Sequence, residues 1–261
     1  MNESADGSSV TVTFAGSGDA FGSGGRYQAC IHLRGQGRPP VLLDCGATSM
    51  SALRAAGLDP GEIAAVFVSH LHGDHFGGLP FLVLDGQFSG RRVPLTVAGP
   101  PGLERRLPQA MEAMFPGSST VRRRFDLNVV EMRPGSTVGV AGVDVSSWEV
   151  DHPSGAPSLA LRLGFGARVI AYTGDTAWTG SLLAVADGAD LLIAEAYYHH
   201  KAIPYHLRYT DLAGHAGELT SRRIVLTHLS ADMLARGDRS RAERRDEFGF
   251  ETAHDGLIIR L

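Results

Sequence analysis

At 261 residues, with 43% hydrophobic and 20% charged side chains, the chain can bury a sizeable core and has the balance of a globular protein, not of a low-complexity tract. Its 24 basic and 28 acidic residues leave a formal charge of −4, which argues against a general nucleic-acid binder, since such binders gain affinity by neutralising phosphates. No apolar run approaches the roughly 18 residues that span a bilayer, and residues 1–9 read as a flexible tail without the basic and apolar regions of a signal peptide, so a cytoplasmic protein with no membrane partner is expected.

In chain order, residues 10–16 (VTVTFAG) alternate as a strand, glycines break it, and 27–33 (YQACIHL) and 39–46 (PPVLLDCG) resume β character. Residues 48–57 predict a helix closed by Gly57, and 62–69 (EIAAVFVS) a strand apolar on both sides, as in a covered sheet. Residues 78–88 (GLPFLVLDGQF) read as helical or irregular, 93–100 as a strand, and 102–115 as a helix interrupted near Pro108. Short strands follow around FDLNVVEM, STVGVAGVDVSSWEV, SLALRLGF and ARVIAYTGD. The last third alternates: GSLLAVADGA helix, DLLIAEA strand, YTDLAGHAGEL helix, RIVLTHLS strand, GLIIRL strand. With no interior linker or repeat, these elements predict one domain over residues 10–261, two sheets packed face to face with helices outside. Cys30 and Cys45 make no C-x-x-C pair and read as reduced and buried.

Three imidazoles and a carboxylate crowd into HLHGDH, residues 70–75, directly after the apolar run AAVFV. Burying such groups without partners costs several kcal/mol, and a cation removes that cost. His70 and His72 point the same way if the strand persists, while Asp74 and His75 fall on the turn. The loop can therefore offer two imidazoles to one metal and Asp plus His to a neighbour, a donor set that suits zinc, with iron or manganese as alternatives. Each metal needs further ligands, and His152, Asp175 and His228 each stand where an apolar strand gives way to a turn.

An H-x-H-x-D-H box, a later lone His, a GDT and a final THLS, in that order, resemble the metallo-β-lactamase fold hydrolases over essentially the whole chain. The resemblance implies an α/β architecture, a four-layer αββα sandwich of two parallel-stranded halves with a dinuclear site at one edge. It places His70, His72 and His152 on one metal, Asp74, His75 and His228 on the other, and Asp175 between them. Flavodiiron members carry Glu where this chain has His72. The glycine loop FAGSGDAFGSGG and LLDCGATS are similar to the ribonuclease Z and cyclic-phosphodiesterase branch. A dinucleotide site is excluded by the spacing of that loop and by the strand, not helix, that follows it. The same branch implies that His206 protonates the leaving oxygen and that Glu195 orients it, although the usual HST reads HLRYT here; with Asp74 these are the candidate catalytic residues. Relatives of this kind suggest a homodimer.

Ribonuclease Z inserts an RNA-gripping arm between the lone His and the bridging Asp, but only 23 positions separate His152 from Asp175, room for a hairpin. A small anionic phosphodiester is thereby expected as substrate in place of tRNA. Two Zn2+ roughly 3.5–4 Å apart would acidify a shared water to a hydroxide nucleophile at neutral pH. The alternatives are a lactone or thioester hydrolase of the same fold, with Tyr197 and Tyr198 as oxyanion donors, a tRNA 3′-end endonuclease, or a non-catalytic metal-binding sensor. Basic runs at 91–92, 121–125 and 241–247 are candidates for greeting an anion.

Overall fold

The computed structural model describes residues 9–237 and 249–261. Apart from Ser9, the expected tail lies outside the described residues, as does the basic run 241–247.

The described residues form two seven-stranded sheets. The first contains β1 (Val10–Gly16), β2 (Cys30–Gly35), β3 (Val41–Leu43), β4 (Ala65–Phe67), β5 (Leu95–Gly99), β6 (Leu127–Glu131) and, beside β1, β14 (Ile258–Arg260). The second runs from β7 (Thr137–Val140) through β8 (Val143–Val150), β9 (Ser158–Phe165), β10 (Arg168–Tyr172), β11 (Leu191–Glu195) and β12 (Ile224–Thr227) to β13 (Phe250–Thr252). Neither half is purely parallel, a correction to the architecture the resemblance implied. Pairs β1/β2, β2/β3 and β7 to β10 are antiparallel, while β3 to β6 and β10 to β13 are parallel. Connections that carry helices return β4 to β6 and β11 to β13 in parallel, whereas β7 to β10 are joined by shorter connections without helices that reverse the chain.

Alternation within strands sets the layers. In β4, Ala65 and Phe67 join the core between the sheets with Phe14, Leu33, Leu161, Phe165 and Ile193, while Val66 faces the other way. That outer face of the first sheet packs under α1 (Ser49–Ala55), α3 (Leu79–Phe88) and α4 (Leu103–Met114). The second sheet buries Ala171, Leu192 and Leu226 beneath α5 (Ser181–Ala186), α6 (Tyr209–Gly214) and α7 (Ala231–Gly237). The order is helix, sheet, sheet, helix, the αββα sandwich expected. Truncating an inner side chain such as Phe67 to Ala would cost about 3–5 kcal/mol.

Contrary to expectation, α4 runs unbroken through Pro108. Leu103, Leu107 and Met111 form its buried stripe, whereas Pro108 and Glu104, the residue whose carbonyl loses a donor, lie on the exposed face where water replaces it. Cys30 and Cys45 are both free and buried. No described helix is long and apolar enough to cross a membrane.

Backbone bonds between the sheets fix one edge of the sandwich. Leu159 N donates to Ser69 O at 2.9 Å, tying β9 to the segment after β4, and His228 N donates to Ser17 O at 3.1 Å, tying the end of β12 to that of β1. The expected site residues converge there.

Candidate metal centre

His70 and His72 follow β4, and the short helix α2 (Gly73–Phe76) presents Asp74 and His75. His152 follows β8, Asp175 follows β10, Glu195 ends β11 and His228 follows β12. Because β10, β11 and β12 are parallel, their last residues emerge together. Two backbone details permit the crowding. Gly174 sits at φ +58° with a missing Cβ that would lie 2.9 Å from Ser69 Cβ, and a Cβ on Gly46 would meet the Asp74 carbonyl oxygen at 2.2 Å.

Among the described residues three groups of donors result, two of them from the expected ligands and a third that joins Asp175 and His228 to Glu195 and His206. His70, His72 and His152 form one, with His72 Nδ1 3.0 Å from His152 Nε2. Asp74, His75, Asp175 and His228 form the other: Asp74 Oδ2 lies 3.2 Å from both His75 Nε2 and His228 Nε2, while Asp175 Oδ1 and Oδ2 lie 3.3 Å and 3.4 Å from those nitrogens. Asp175 also reaches toward the first group, its Oδ2 4.0 Å from His70 Nε2.

The outer nitrogens decide what the inner ones present. His75 Nδ1 faces Asp44 Oδ2 at 2.7 Å and His152 Nδ1 faces the Tyr205 carbonyl at 2.9 Å. Both oxygens only accept, so both Nδ1 atoms carry a proton and Nε2 is the atom of each ring left to give a lone pair to a cation. Ser69 Oγ spends its proton on Asp44 Oδ2 at 2.8 Å, so at 3.1 Å it accepts from His70 Nδ1, with the same consequence. The buried atoms His70 Nε2, His75 Nε2 and Asp175 Oδ1 have no hydrogen-bond partner. Unsatisfied lone pairs converging on a buried space fit divalent cations: ligands at ~2.0–2.1 Å in a tetrahedron stand about 3.3 Å apart, close to the separations above.

Electrostatics agree. Burial drives the His70 pKa well below its usual value, the His75 charge adding to it. For His75 burial acts the same way but is outweighed by Asp175, Asp74 and Asp44, which raise its pKa. Burial opposes the Asp175 charge, yet His228 and His75 hold its carboxyl well below the usual range. Burial opposes a charge on His228 as well, but Asp175 and the Asp74 hydrogen bond raise its pKa to about 9, so the ionised carboxylates draw positive charge into this space, and a metal cation would displace the imidazole protons that otherwise supply it.

Beside these groups stands a second pair. Glu195, 1% exposed, accepts Thr176 N at 2.6 Å and Leu207 N at 3.3 Å on Oε1, while Oε2 lies 2.9 Å from His206 Nδ1. Burial, then Asp175, raises the Glu195 pKa; burial opposes a charge on His206, but the Glu195 hydrogen bond outweighs it and raises the His206 pKa. The Tyr197 ring lies 5.0 Å from that of His206, with its hydroxyl pKa pushed up to about 12 by burial, whereas Tyr198 packs on Lys201.

Among the basic runs, Arg91 does not face a ligand: it is 5% exposed and caps carbonyls of Pro60, Ile63, Val93 and Pro94, because a buried guanidinium needs acceptors. Arg123 likewise holds the Ser118 and Ser119 carbonyls. Sequence reasoning missed Asp44, Ser69 and Tyr172, whose hydroxyl donates to Asp44 Oδ2 at 2.8 Å; the available signal was an Asp directly after the apolar VLL.

Comparison with known proteins agrees with this geometry. Residues 10–252 match the family model described as anti-Pycsar protein Apyc1. The chain belongs to the Apyc1 family. It is also 30% identical to ribonuclease Z of Methanothermobacter thermautotrophicus, over 85% of this chain and 87% of that protein. The crystal structure of the metallo-β-lactamase fold protein YhfI from Bacillus subtilis superposes with a TM-score of 0.77, at 18% identity over 97% of this chain and 99% of that one. Human tRNase Z, short form, does so at 0.75, with 26% identity over 95% and 98%. The Apyc1-family chain is thus a hydrolase of the metallo-β-lactamase fold close to ribonuclease Z, with His/Asp clusters suited to metal. Two of these relatives, ribonuclease Z and tRNase Z, carry the names of RNA-cleaving enzymes, which conflicts in part with the expectation of a small substrate in place of RNA.

Proposed function

We propose that the chain is a phosphodiesterase hydrolysing a small or cyclic phosphodiester, with His70, His72 and His152 holding one Zn2+, Asp74, His75 and His228 a second, and Asp175 both; Mn2+ or Fe are the alternatives. The observation that supports this reading is the pair of inward-turned His and Asp donor groups, in which His70 Nε2, His75 Nε2 and Asp175 Oδ1 are buried without a partner. Divalent cations bound there supply Lewis acidity, acidifying water and neutralising charge on phosphoryl oxygens.

The chain's own groups do the rest. Glu195 Oε2 holds the Nδ1 proton of His206, which leaves Nε2 to carry the proton that the departing alkoxide needs. Thr176 N and Leu207 N fix Glu195 so that the imidazole does not turn away. Asp44, Ser69 and the Tyr205 carbonyl orient the ligand imidazoles.

A small substrate is supported by the interval between His152 and Asp175, which the hairpin β9/β10 fills within the sheet, leaving no protruding arm. The second reading, RNA 3′-end cleavage, is favoured by the ribonuclease Z relatives. Incubating zinc-loaded protein with a cyclic nucleoside phosphodiester, a precursor tRNA and a simple lactone separates them. Ring opening to the monoester is expected; RNA cleavage alone, or lactone opening alone, would replace this reading.

A further inference from the structure

Four described residues other than glycine have a positive φ: Asp44, Ala141, Tyr205 and His228. Ala141 lies in the β7/β8 turn, and Asp44 and His228 belong to the metal centre. Tyr205, at φ +67°, is the bulky one, in a region that favours glycine and asparagine. Its backbone conformation has a use, since the Tyr205 carbonyl takes the His152 Nδ1 proton at 2.9 Å. Glycine would deliver the same carbonyl without steric conflict, so that bond does not explain the side chain.

Tyr205 is 45% exposed, and its side chain makes no hydrogen bond or ring contact among the described residues. The backbone beneath it is nevertheless held on both sides: the Tyr205 carbonyl is pinned to His152, and the next residue, His206, is pinned to Glu195 at 2.9 Å. The His206 and His152 rings lie 4.9 Å apart. An exposed, unpartnered aromatic side chain is thereby carried on a backbone fixed one residue before the proton donor His206 and bonded to His152 of the first donor group.

We propose that the Tyr205 ring is a specificity-determining contact that stacks on a planar group attached to the phosphodiester through its non-leaving oxygen. This rests on the phosphodiesterase reading above. Bis(p-nitrophenyl) phosphate and methyl p-nitrophenyl phosphate release the same p-nitrophenolate and differ only in the group that stays, so the ratio of their kcat/KM values isolates that contact. Tyr205→Gly, which suits the left-handed backbone and retains the carbonyl to His152, is expected to lower the ratio about tenfold, through KM for the planar ester, while Tyr205→Phe retains it. A ratio unchanged in Tyr205→Gly overturns the proposal.

Calorimetric titration of zinc-loaded protein with phenylphosphonate and methylphosphonate gives a readout independent of turnover. The wild type is expected to prefer the phenyl compound and Tyr205→Gly to lose that preference. If the wild type hydrolyses neither ester, the phosphodiesterase reading fails, yet the phosphonate comparison still decides the role of Tyr205; equal affinities in the wild type count against it.

Discussion

Asp44 Oδ2 accepts the His75 Nδ1 proton at 2.7 Å and, from the opposite sheet, the Tyr172 hydroxyl proton at 2.8 Å. Ser69 adds its N–H to Oδ1 at 2.7 Å and its hydroxyl to Oδ2. Four donors converge on one fully buried carboxylate, which an amide cannot satisfy because one of its two ends donates. Asp44→Asn should therefore lower zinc affinity about 10–100-fold by releasing His75, and lower stability by about 1–3 kcal/mol. Competition against a chromophoric chelator measures the first and urea unfolding the second; wild-type affinity in the variant would show that His75 is not positioned through Asp44.

The Glu195 and His206 pair predicts a dependence on the leaving group. His206→Ala should reduce kcat by about 10²–10⁴ for a diester that must expel an alkoxide, and far less for one that expels p-nitrophenolate, which leaves without a proton. Glu195→Gln should follow the same pattern, as it removes the charge that holds His206 protonated. Steady-state rates across leaving groups of graded pKa check both. Equal losses for all leaving groups would assign the pair to binding, not to proton transfer.

Gly46 is the position where a single methyl should disrupt the centre. Its absent Cβ points at the Asp74 carbonyl oxygen 2.2 Å away, a backbone atom of α2 that cannot swing aside alone. Gly46→Ala should displace Asp74 and His75 together, with loss of metal from the second donor group, whereas Gly73→Ala, with open space around it, should not clash. Zinc content after dialysis distinguishes the two variants.

Acid sensitivity has a contribution away from the metal. His32 in β2 is 2% exposed, and burial, with help from Arg34, pushes its pKa from the ordinary 6.5 down to about 4. In the unfolded chain the imidazole binds a proton through that window and in the folded chain it does not. Stability from this group is therefore complete above pH 6.5 and is lost as pH falls toward 4, by about 3 kcal/mol. His32→Leu should flatten the fall between pH 6.5 and 4 relative to wild type, as read by urea midpoints at several pH values; parallel curves would show that His32 titrates normally.

The chemistry was more legible in the sequence than its support. His70, His72, Asp74 and His75 announce themselves because their polar cost is concentrated in six positions, and His152, Asp175 and His228 because each ends an apolar strand. Asp44 looks like any strand-end Asp before a turn. Its role needs the pairing of β3 with β4 and a hydroxyl 128 positions away, neither of which is a local property. The mixed strand direction was hidden for the same reason, and α7 and β13 are too short to show a period. At Pro108 the local rule lost to the buried stripe Leu103, Leu107, Met111, which holds the helix on its sheet whatever happens on the wet side.

The central claim is that two donor groups sharing Asp175 hold cations that hydrolyse a phosphodiester. The most direct test is metal content by elemental mass spectrometry on the same samples assayed with bis(p-nitrophenyl) phosphate, wild type beside Asp175→Ala. The account predicts about two zinc per wild-type chain with turnover, and both the second metal and the turnover lost in the variant. Trace metal in active wild-type protein, or full turnover in Asp175→Ala, would contradict it.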